Sequence, residues 1–303
     1  MRQDEKTFDI AATMIRRSSM DLAEWKFTRV GELSESLAGR TGYLEMGGFD
    51  LTEVGVEGLD PLWWRGGLPP SFLAATDAAS LEWRRFAVKS IRERDLPALG
   101  GTKFTPAQFS RLLTLLAHYH GQFWNDSEAA RVLQVDAKTV QRHVEILAAA
   151  YFLRLLPAYF KNVGKRLRRA HRLYIRDSGL LHSLMGLPSF EHLQAHPALG
   201  ASWEGLAIDH VVRLLGVPEE RCFYWSTHGG AEVDLVVEAG GDVFGFEMKY
   251  TDRPGTTKSM HVVLDDLKLK RLFVVHPGEH NFPLADKIEA VALMNLPQLK
   301  LPM

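Results

Sequence analysis

Two short alternating runs separated by a glycine pair constrain the fold of this 303-residue chain more than any other feature. Residues 231–238 (AEVDLVVE) and 243–250 (VFGFEMKY) have the pattern of β-strands. Gly240 and Gly241 between them favour a two-residue turn, because such a turn requires positive φ. Counting outward from that turn places three apolar pairs on one face of a hairpin: Val237 with Phe244, Leu235 with Phe246, and Val233 with Met248.

The opposite face of the predicted hairpin is charged. Its register pairs Asp234 with Glu247 and Glu232 with Lys249. Opposed carboxylates repel unless one is protonated, Lys249 neutralises them, or a divalent cation binds between them. A hard cation such as Mg²⁺ prefers oxygen ligands, and Glu204 on a predicted helix would supply a third. Glu204, Asp234, Glu247 and Lys249 are therefore candidate catalytic residues, and the first three are also candidate metal ligands.

The middle of the chain has the pattern of a helix-turn-helix. Thr105-Pro106 begins one helix, residues 127–135 (SEAARVLQV) form a short second one, and Asp136 caps a third over residues 137–152. The apolar residues at helical spacing in the last two helices are predicted to be buried: Ala130, Leu133, Val140, Val144 and Leu147. The third helix begins with the polar residues that such a helix presents to bases or phosphates: Lys138, Thr139, Gln141, Arg142 and His143.

A basic segment follows the predicted helices. Residues 152–160 are predicted to form a strand, and residues 161–172 (KNVGKRLRRAHR) contain no acidic residue, as expected of a basic wing. Its basic residues are Lys161, Lys165, Arg166, Arg168, Arg169 and Arg172. Two interpretations remain open: the wing and third helix contact DNA, or the module only packs against other protein.

Other segments complete the predicted organisation. Residues 47–70 are rich in Gly and Pro and indicate a connector, and residues 80–95 predict a helix with Leu81, Phe86 and Ile91 in the core and its basic residues solvated. Further along, residues 203–215 predict the amphipathic helix that carries Glu204, and residues 222–226 predict a strand.

Composition excludes several classes of protein. The net charge of -1 provides no global basic field, so any nucleic-acid site depends on local patches. The single cysteine, Cys222, excludes an internal disulfide and a multi-cysteine zinc site. No signal peptide or membrane-spanning apolar run is evident, so we expect a soluble, cytoplasmic protein without a membrane partner.

The charged hairpin and its helix resemble the PD-(D/E)xK nuclease superfamily. The matching elements are Trp203-Glu204-Gly205, Glu232-Val233-Asp234 and Glu247-Met248-Lys249, although no proline precedes Asp234. The resemblance implies a nuclease-like α/β domain in which Lys249 orients water or stabilises charge on a phosphate, with Mg²⁺ as the cofactor. Charged residues on a strand are also often only a solvated face, and inactive nuclease-like folds exist.

A wider resemblance is to a prokaryotic AAA-family ATPase with a C-terminal winged helix and a nuclease-like domain of unknown function. It rests on segments in the same order from about residue 30 onward, including SESLAGR (34–40), RGGLPPSF (65–72), RLYIRDSGLL (172–181) and LGASWEG (199–205). No G-x-x-x-x-G-K-[ST] motif occurs, so this chain alone is not expected to hydrolyse ATP. Arg40 and Arg94 are the residues that could sense a nucleotide held by a partner's P-loop.

These observations predict a multidomain α+β or α/β protein. Residues 1–47 would be a remnant of an AAA ATPase module, 48–104 a helical connector, 105–172 a winged helix-like domain and 173–303 a nuclease-like α/β domain. The expected function is that of a DNA-associated, nuclease-like accessory protein, with DNA and a separate ATPase subunit as candidate partners. The alternatives are a non-enzymatic regulatory protein with a nuclease-like scaffold, and an ATP-binding protein completed by a partner's P-loop.

Overall fold

The computed structural model describes residues 47–95, 104–160 and 170–301. The fold is mixed α/β, with a helical N-terminal part and a mixed sheet in the C-terminal part. Several predicted features lie outside the described residues: Arg40 and most of the expected ATPase remnant, and the basic residues Lys161, Lys165, Arg166, Arg168 and Arg169.

The helical part opens with four helices: α1 (Leu51–Val54), α2 (Leu59–Arg65), α3 (Pro69–Phe72) and α4 (Asp77–Ser90), the last continuing as a π-helical turn (Ile91–Asp95). Helix α4 confirms a helix in the predicted place but only part of its predicted core: Ile91, in the following π-helical turn, packs against the buried cluster of the helical part. Phe86 is 62% exposed, whereas Arg84 is buried. The Arg84 guanidinium donates to the carbonyls of Trp64 and Gly179, so packing against distant backbone overrides the apolar pattern.

Three further helices and a small sheet follow. Helices α5 (Pro106–His118), α6 (Asp126–Leu133) and α7 (Ala137–Ala149) begin at the side-chain caps Thr105, Asn125 and Asp136. Strands β1 (Gln122–Phe123), β2 (Leu153–Leu156) and β3 (Arg172–Ile175) form an antiparallel sheet in the order β1-β3-β2. The five apolar residues predicted to be buried in the last two helices are buried, which confirms that part of the helix-turn-helix pattern.

One prediction for this region is confirmed only in part and another is wrong. The strand expected over residues 152–160 is limited to β2. His143 does not face outward: its ring stacks on Phe104 at 3.9 Å between ring centroids, and it is buried. His143 therefore belongs to the core of the three-helix unit and is not a base-reading residue.

The C-terminal part is a six-stranded sheet between helices. Helices α8 (Ser178–Leu184), α9 (Phe190–Gln194) and α10 (Leu199–Leu214) precede it. Its strands are β4 (Cys222–Ser226), β5 (Glu232–Ala239), β6 (Asp242–Met248), β7 (Arg271–His276), β8 (Phe282–Ala285) and β9 (Ile288–Ala292), in the order β4-β5-β6-β7-β9-β8. The β6–β7 and β7–β9 pairs are parallel and the others antiparallel. Helix α10 packs on one face and α11 (Lys258–Leu267) on the other.

The β5–β6 hairpin confirms the predicted turn. Gly240 and Gly241 have φ of 57° and 83°, and Ala239 pairs with Asp242 across them. The predicted pairs Leu235–Phe246 and Val237–Phe244 are also present.

The predicted register does not extend to the open end of the hairpin. The β5–β6 ladder ends at Leu235–Phe246, so the expected pairing of Asp234 with Glu247 is not part of it. The β4–β5 register shifts between Phe223 and Trp225. Val233 consequently packs with Trp225 and α11, on the opposite side of the sheet from Leu235, and its predicted face is wrong.

One core joins the helical part to the sheet. Trp63 and Trp64 of α2 lie in the same buried cluster as α10 and the hairpin. His120 bridges the parts as well, because its Nδ1 accepts from the Ile175 amide at 3.0 Å and its Nε2 bonds the Ala201 carbonyl at 3.1 Å. Burial lowers the pKa of His120 to about 4, so this bridging imidazole is neutral at pH 7.

None of the helices in the described ranges is long and apolar enough to cross a membrane.

Candidate functional site

Two polar side chains of strand β3, Arg172 and Tyr174, lie in the interface with the C-terminal sheet. Arg172 and Tyr174 are two residues apart, so they project from the same face of the strand. Arg172 is only 6% exposed, and its guanidinium binds three carboxylates. Its Nη1 lies 3.0 Å from Asp234 Oδ1 and 3.2 Å from Glu204 Oε1, and its Nη2 lies 2.6 Å from Glu232 Oε2.

Helix α10 places Glu204 against both of these side chains. Tyr174 donates its hydroxyl to Glu204 Oε1 at 2.5 Å, beside the Arg172 contact. Burial, reinforced by the neighbouring charge of Asp234, raises the pKa of Glu204 above its usual value, whereas the Arg172 charge and the Tyr174 hydroxyl favour the ionised carboxylate. The same surroundings raise the pKa of Tyr174 well above its usual value, so its hydroxyl remains a donor at neutral pH.

Asp234 is held by two donors from different elements. Its Oδ1 accepts from Arg172, and its Oδ2 accepts from the Met248 amide at 2.8 Å. That amide belongs to the end of β6, where the ladder to β5 has stopped. The carboxylate thus replaces a backbone partner and closes the open end of the hairpin.

Glu247 and Lys249 form a separate pair on β6 and just beyond it. Lys249 Nζ lies 2.7 Å from Glu247 Oε1, and the lysine side chain is 40% exposed while Glu247 is buried. Burial and the Asp234 charge raise the pKa of Glu247, and the charge and hydrogen bond of Lys249 oppose that rise. Partial burial opposes the positive charge of Lys249, but the Glu247 carboxylate outweighs it and raises the lysine pKa. Within the described residues, Glu247 Oε2 is buried without a hydrogen-bond partner.

The predicted metal ligands do not form a metal site in this arrangement. Among the described residues, no group of three or more His, Cys, Asp and Glu side chains is placed to hold a metal ion. The guanidinium of Arg172 occupies the position between Glu204 and Asp234, and Lys249 neutralises Glu247. This donor set fits protein cations and does not fit Mg²⁺.

Sequence patterns did not identify the residues that organise this cluster. Arg172 was predicted to be part of the basic wing, which is wrong, because it is buried among carboxylates. Tyr174 was not identified at all. The available signal was an Arg and a Tyr at alternate positions of an otherwise apolar strand, which indicates that two polar side chains enter a protein interface.

A second charged cluster lies further along α10. The buried Asp209 contacts Arg154 at 3.1 Å, Arg176 at 3.3 Å and Arg213 at 3.5 Å. Burial opposes ionisation of Asp209, but the three guanidinium groups outweigh it and lower its pKa to about 2. These ion pairs connect the small sheet to α10, and the buried charge of Asp209 is compensated by the three arginines.

The predicted nucleic-acid residues on α7 differ in how exposed their side chains are. Lys138, Gln141 and Arg142 are exposed. Thr139 is held by Asp136, whose Oδ2 accepts from the threonine hydroxyl at 2.5 Å. Arg94, a candidate nucleotide-related residue, is exposed on the π-helical turn after α4.

Comparison with known proteins finds two matching family models. Residues 56–191 match a "Domain of unknown function (DUF8612)", and residues 199–297 match a "Domain of unknown function (DUF4143)". The chain carries two domains of unknown function.

Two curated relatives are similar over most of this chain: "Uncharacterized protein Rv2008c" of Mycobacterium tuberculosis and "Uncharacterized protein Mb2031c" of Mycobacterium bovis. Each is 45% identical over 262 residues, which cover 86% of this chain and 59% of the relative. The chain therefore spans less than two thirds of the length of these relatives. No solved structure matches it significantly.

Proposed function

We propose that this protein is a DNA-associated accessory protein, in which the helical part contacts DNA and the nuclease-like C-terminal part is a scaffold. The observation that carries the proposal is the exposed side of α7. Lys138 and Arg142 lie one turn apart there, while Val140, Val144 and Leu147 hold the other side in the core. Two cations at the start of such a helix are suited to phosphates or base edges.

The topology around α7 supports the same proposal. Helices α6 and α7 are joined by a three-residue turn in which Gln134 takes a left-handed conformation with φ of 56°. The antiparallel strands β2 and β3 follow these helices. This order supports the winged-helix interpretation, and the residues between the two strands include the basic ones expected to contact phosphates.

The scaffold role of the C-terminal part is supported by its carboxylates. Glu204, Glu232 and Asp234 all bind Arg172, and Glu247 binds Lys249.

An AAA-family origin is proposed from the sequence resemblance, and domains of the DUF4143 kind often occur in proteins associated with AAA ATPases. A separate ATPase subunit and DNA are the proposed partners, and nothing in the geometry of the described residues favours nucleotide binding without a partner.

Reversing the charges of Lys138 and Arg142 on α7 tests DNA contact. We expect K138E/R142E to weaken binding of a fluorescein-labelled duplex by about tenfold or more at 0.1 M salt, and to reduce the salt slope by about two. Fluorescence anisotropy over a salt series measures both quantities. The control is R253E/K258E, which makes the same charge change at two exposed residues in and before α11.

Equal loss of affinity in both double variants would show that only net charge matters and would contradict a DNA-contacting α7. Unchanged affinity in K138E/R142E would contradict it as well.

A metal-dependent nuclease is the second candidate, favoured by the 2.7 Å pair of Glu247 with a half-exposed Lys249. The scaffold proposal predicts that pure protein leaves supercoiled plasmid intact in Mg²⁺ or Mn²⁺, because the carboxylates are bound by protein cations. Gel electrophoresis of the plasmid measures nicking. Metal-dependent nicking that Lys249→Ala abolishes would establish the nuclease and overturn the scaffold role.

A further inference from the structure

A cleft lies at the end of the C-terminal sheet where strands β6 and β7 begin. Its volume is about 630 Å³, within the range of roughly 300–1,000 Å³ that is usual for small-molecule sites. The rings of Phe244 on β6 and Phe273 on β7 line it and lie almost parallel, with 6.5 Å between their centroids. Leu299 and Leu301, which follow the 3₁₀ helix Leu293–Gln298, also line it. The cleft therefore has an aromatic and aliphatic lining.

The rim of this cleft is cationic. Lys270, Arg271 and Lys300 line it, and the described lining residues include one carboxylate, Glu289. Glu289 binds Arg271 at 2.8 Å, and Lys270 binds Asp242. Lys300 is exposed and forms no ion pair within the described ranges. Three cations against two carboxylates leave one positive charge uncompensated next to an apolar surface.

The cleft is separate from the Arg172 cluster. Strands β6 and β7 are parallel, and Phe244 is paired with Arg271 near the beginning of both. Glu247 lies at the other end of β6, on the side where Asp234 accepts from the backbone of that strand. The lining of the cleft thus includes none of the charged residues of the candidate site described above.

We propose that this cleft binds a small organic anion with a flat apolar body. The body contacts the two phenylalanine rings and the two leucines, where burial of its surface releases water. The anionic group lies beside Lys300, because the other two cations of the rim already bind carboxylates. An aromatic carboxylate is the simplest compound of this class. The inference goes beyond DNA contact by α7 and does not depend on it.

The test uses 2-naphthoate as the probe with the full chain. Saturation-transfer difference NMR at neutral pH and low salt measures its dissociation constant, which we expect to be on the order of 1 mM or lower. The uncharged 2-naphthamide has the same apolar body and is expected to bind at least about fivefold more weakly. Inorganic phosphate has charge without the apolar body and is not expected to displace 2-naphthoate.

Two variants assign the binding to the cleft. Lys300→Glu is expected to weaken binding of 2-naphthoate by about fivefold or more and to leave 2-naphthamide unchanged, because it reverses only a charge at the rim. Leu301→Trp is expected to abolish binding of both compounds, because the larger indole fills the cleft. The matched control is Lys287→Glu, the same charge change at an exposed residue between β8 and β9 that does not line the cleft.

Several results would overturn the proposal. Absence of 2-naphthoate binding by the wild type up to the solubility limit would mean that the cleft takes no such ligand. Equal affinity for the carboxylate and the amide would mean that the rim does not recognise an anion. Equal weakening by Lys300→Glu and Lys287→Glu would show that only net charge matters, and a folded Leu301→Trp protein that still binds both compounds would place the site elsewhere. Because Lys300 is exposed, its variant decides the outcome even if Leu301→Trp does not fold. Failure of the DNA experiment would leave these outcomes unaffected.

Discussion

Replacing Asp234 with alanine is expected to lower the free energy of unfolding by about 3–5 kcal/mol, the usual loss when one partner of a buried ion pair is removed. The change leaves the Arg172 guanidinium short of one partner and the Met248 amide without an acceptor. A carboxylate kept only for metal chemistry would behave in the opposite way, because removing one of several repelling charges stabilises a site. The sign of the effect therefore separates the two roles. Urea unfolding followed by tryptophan fluorescence measures it.

Glu232→Ala is the matched control for Asp234→Ala. Glu232 binds the same arginine at 2.6 Å, but its side chain is 46% exposed. Its removal is expected to change stability by no more than about 1 kcal/mol, as for other exposed pairs. Equal losses of unfolding free energy in both variants would indicate that the buried Asp234–Arg172 pair stabilises the protein no more than the exposed Glu232–Arg172 pair. A stabilised Asp234→Ala protein would refute the structural role.

Gly179→Ala is expected to have the second large effect, a loss of about 4 kcal/mol or more, or failure to fold. A Cβ at residue 179 would lie 2.0 Å from the Arg65 carbonyl oxygen and 2.8 Å from the Gly66 nitrogen, both backbone atoms. The backbone has little room to move, because Asp177 accepts from the Gly67 amide at 2.9 Å on the same segment. Circular dichroism during thermal unfolding measures the change.

Gly200→Ala provides the control for the glycine experiment. Gly200 is also in the first turn of a helix, but a Cβ there would meet nothing within 4 Å. Alanine is expected to be neutral or to stabilise by up to about 1 kcal/mol, since it lowers the entropy of the unfolded chain. If Gly179→Ala matched this control, α2 and α8 would not be as close as the structure has them.

Local chemistry explains which elements could be predicted from the sequence. The β5–β6 turn depends on two adjacent glycines with positive φ, and helices α5 to α7 depend on capping residues next to apolar residues at helical spacing. Each of these signals spans only a few residues. Such elements form as the pattern predicts because no distant contact has to be known.

The features that sequence analysis missed depend on distant contacts. Val233 changed face because β4, a separate strand, shifts its register against β5. Arg84 is buried because the carbonyls of Trp64 and Gly179, 20 and 95 residues away in sequence, accept from it. Arg172 lies 62 residues before Asp234. The sequence identified the carboxylates Glu204, Asp234 and Glu247 as candidate site residues. It did not indicate that Arg172 would be buried in contact with two of them.

The position of Trp63 has a consequence for how the protein unfolds. Its indole nitrogen donates to Ser202 at 2.8 Å, and its ring packs edge-on against Trp203 and Tyr250. A helix from the beginning of the described chain is thus part of the core beneath the C-terminal sheet. The boundary between the two family matches is then not a boundary between folding units, and a fragment cut there would expose an aromatic surface to water. Denaturation should accordingly proceed as one cooperative transition in which both regions lose structure together.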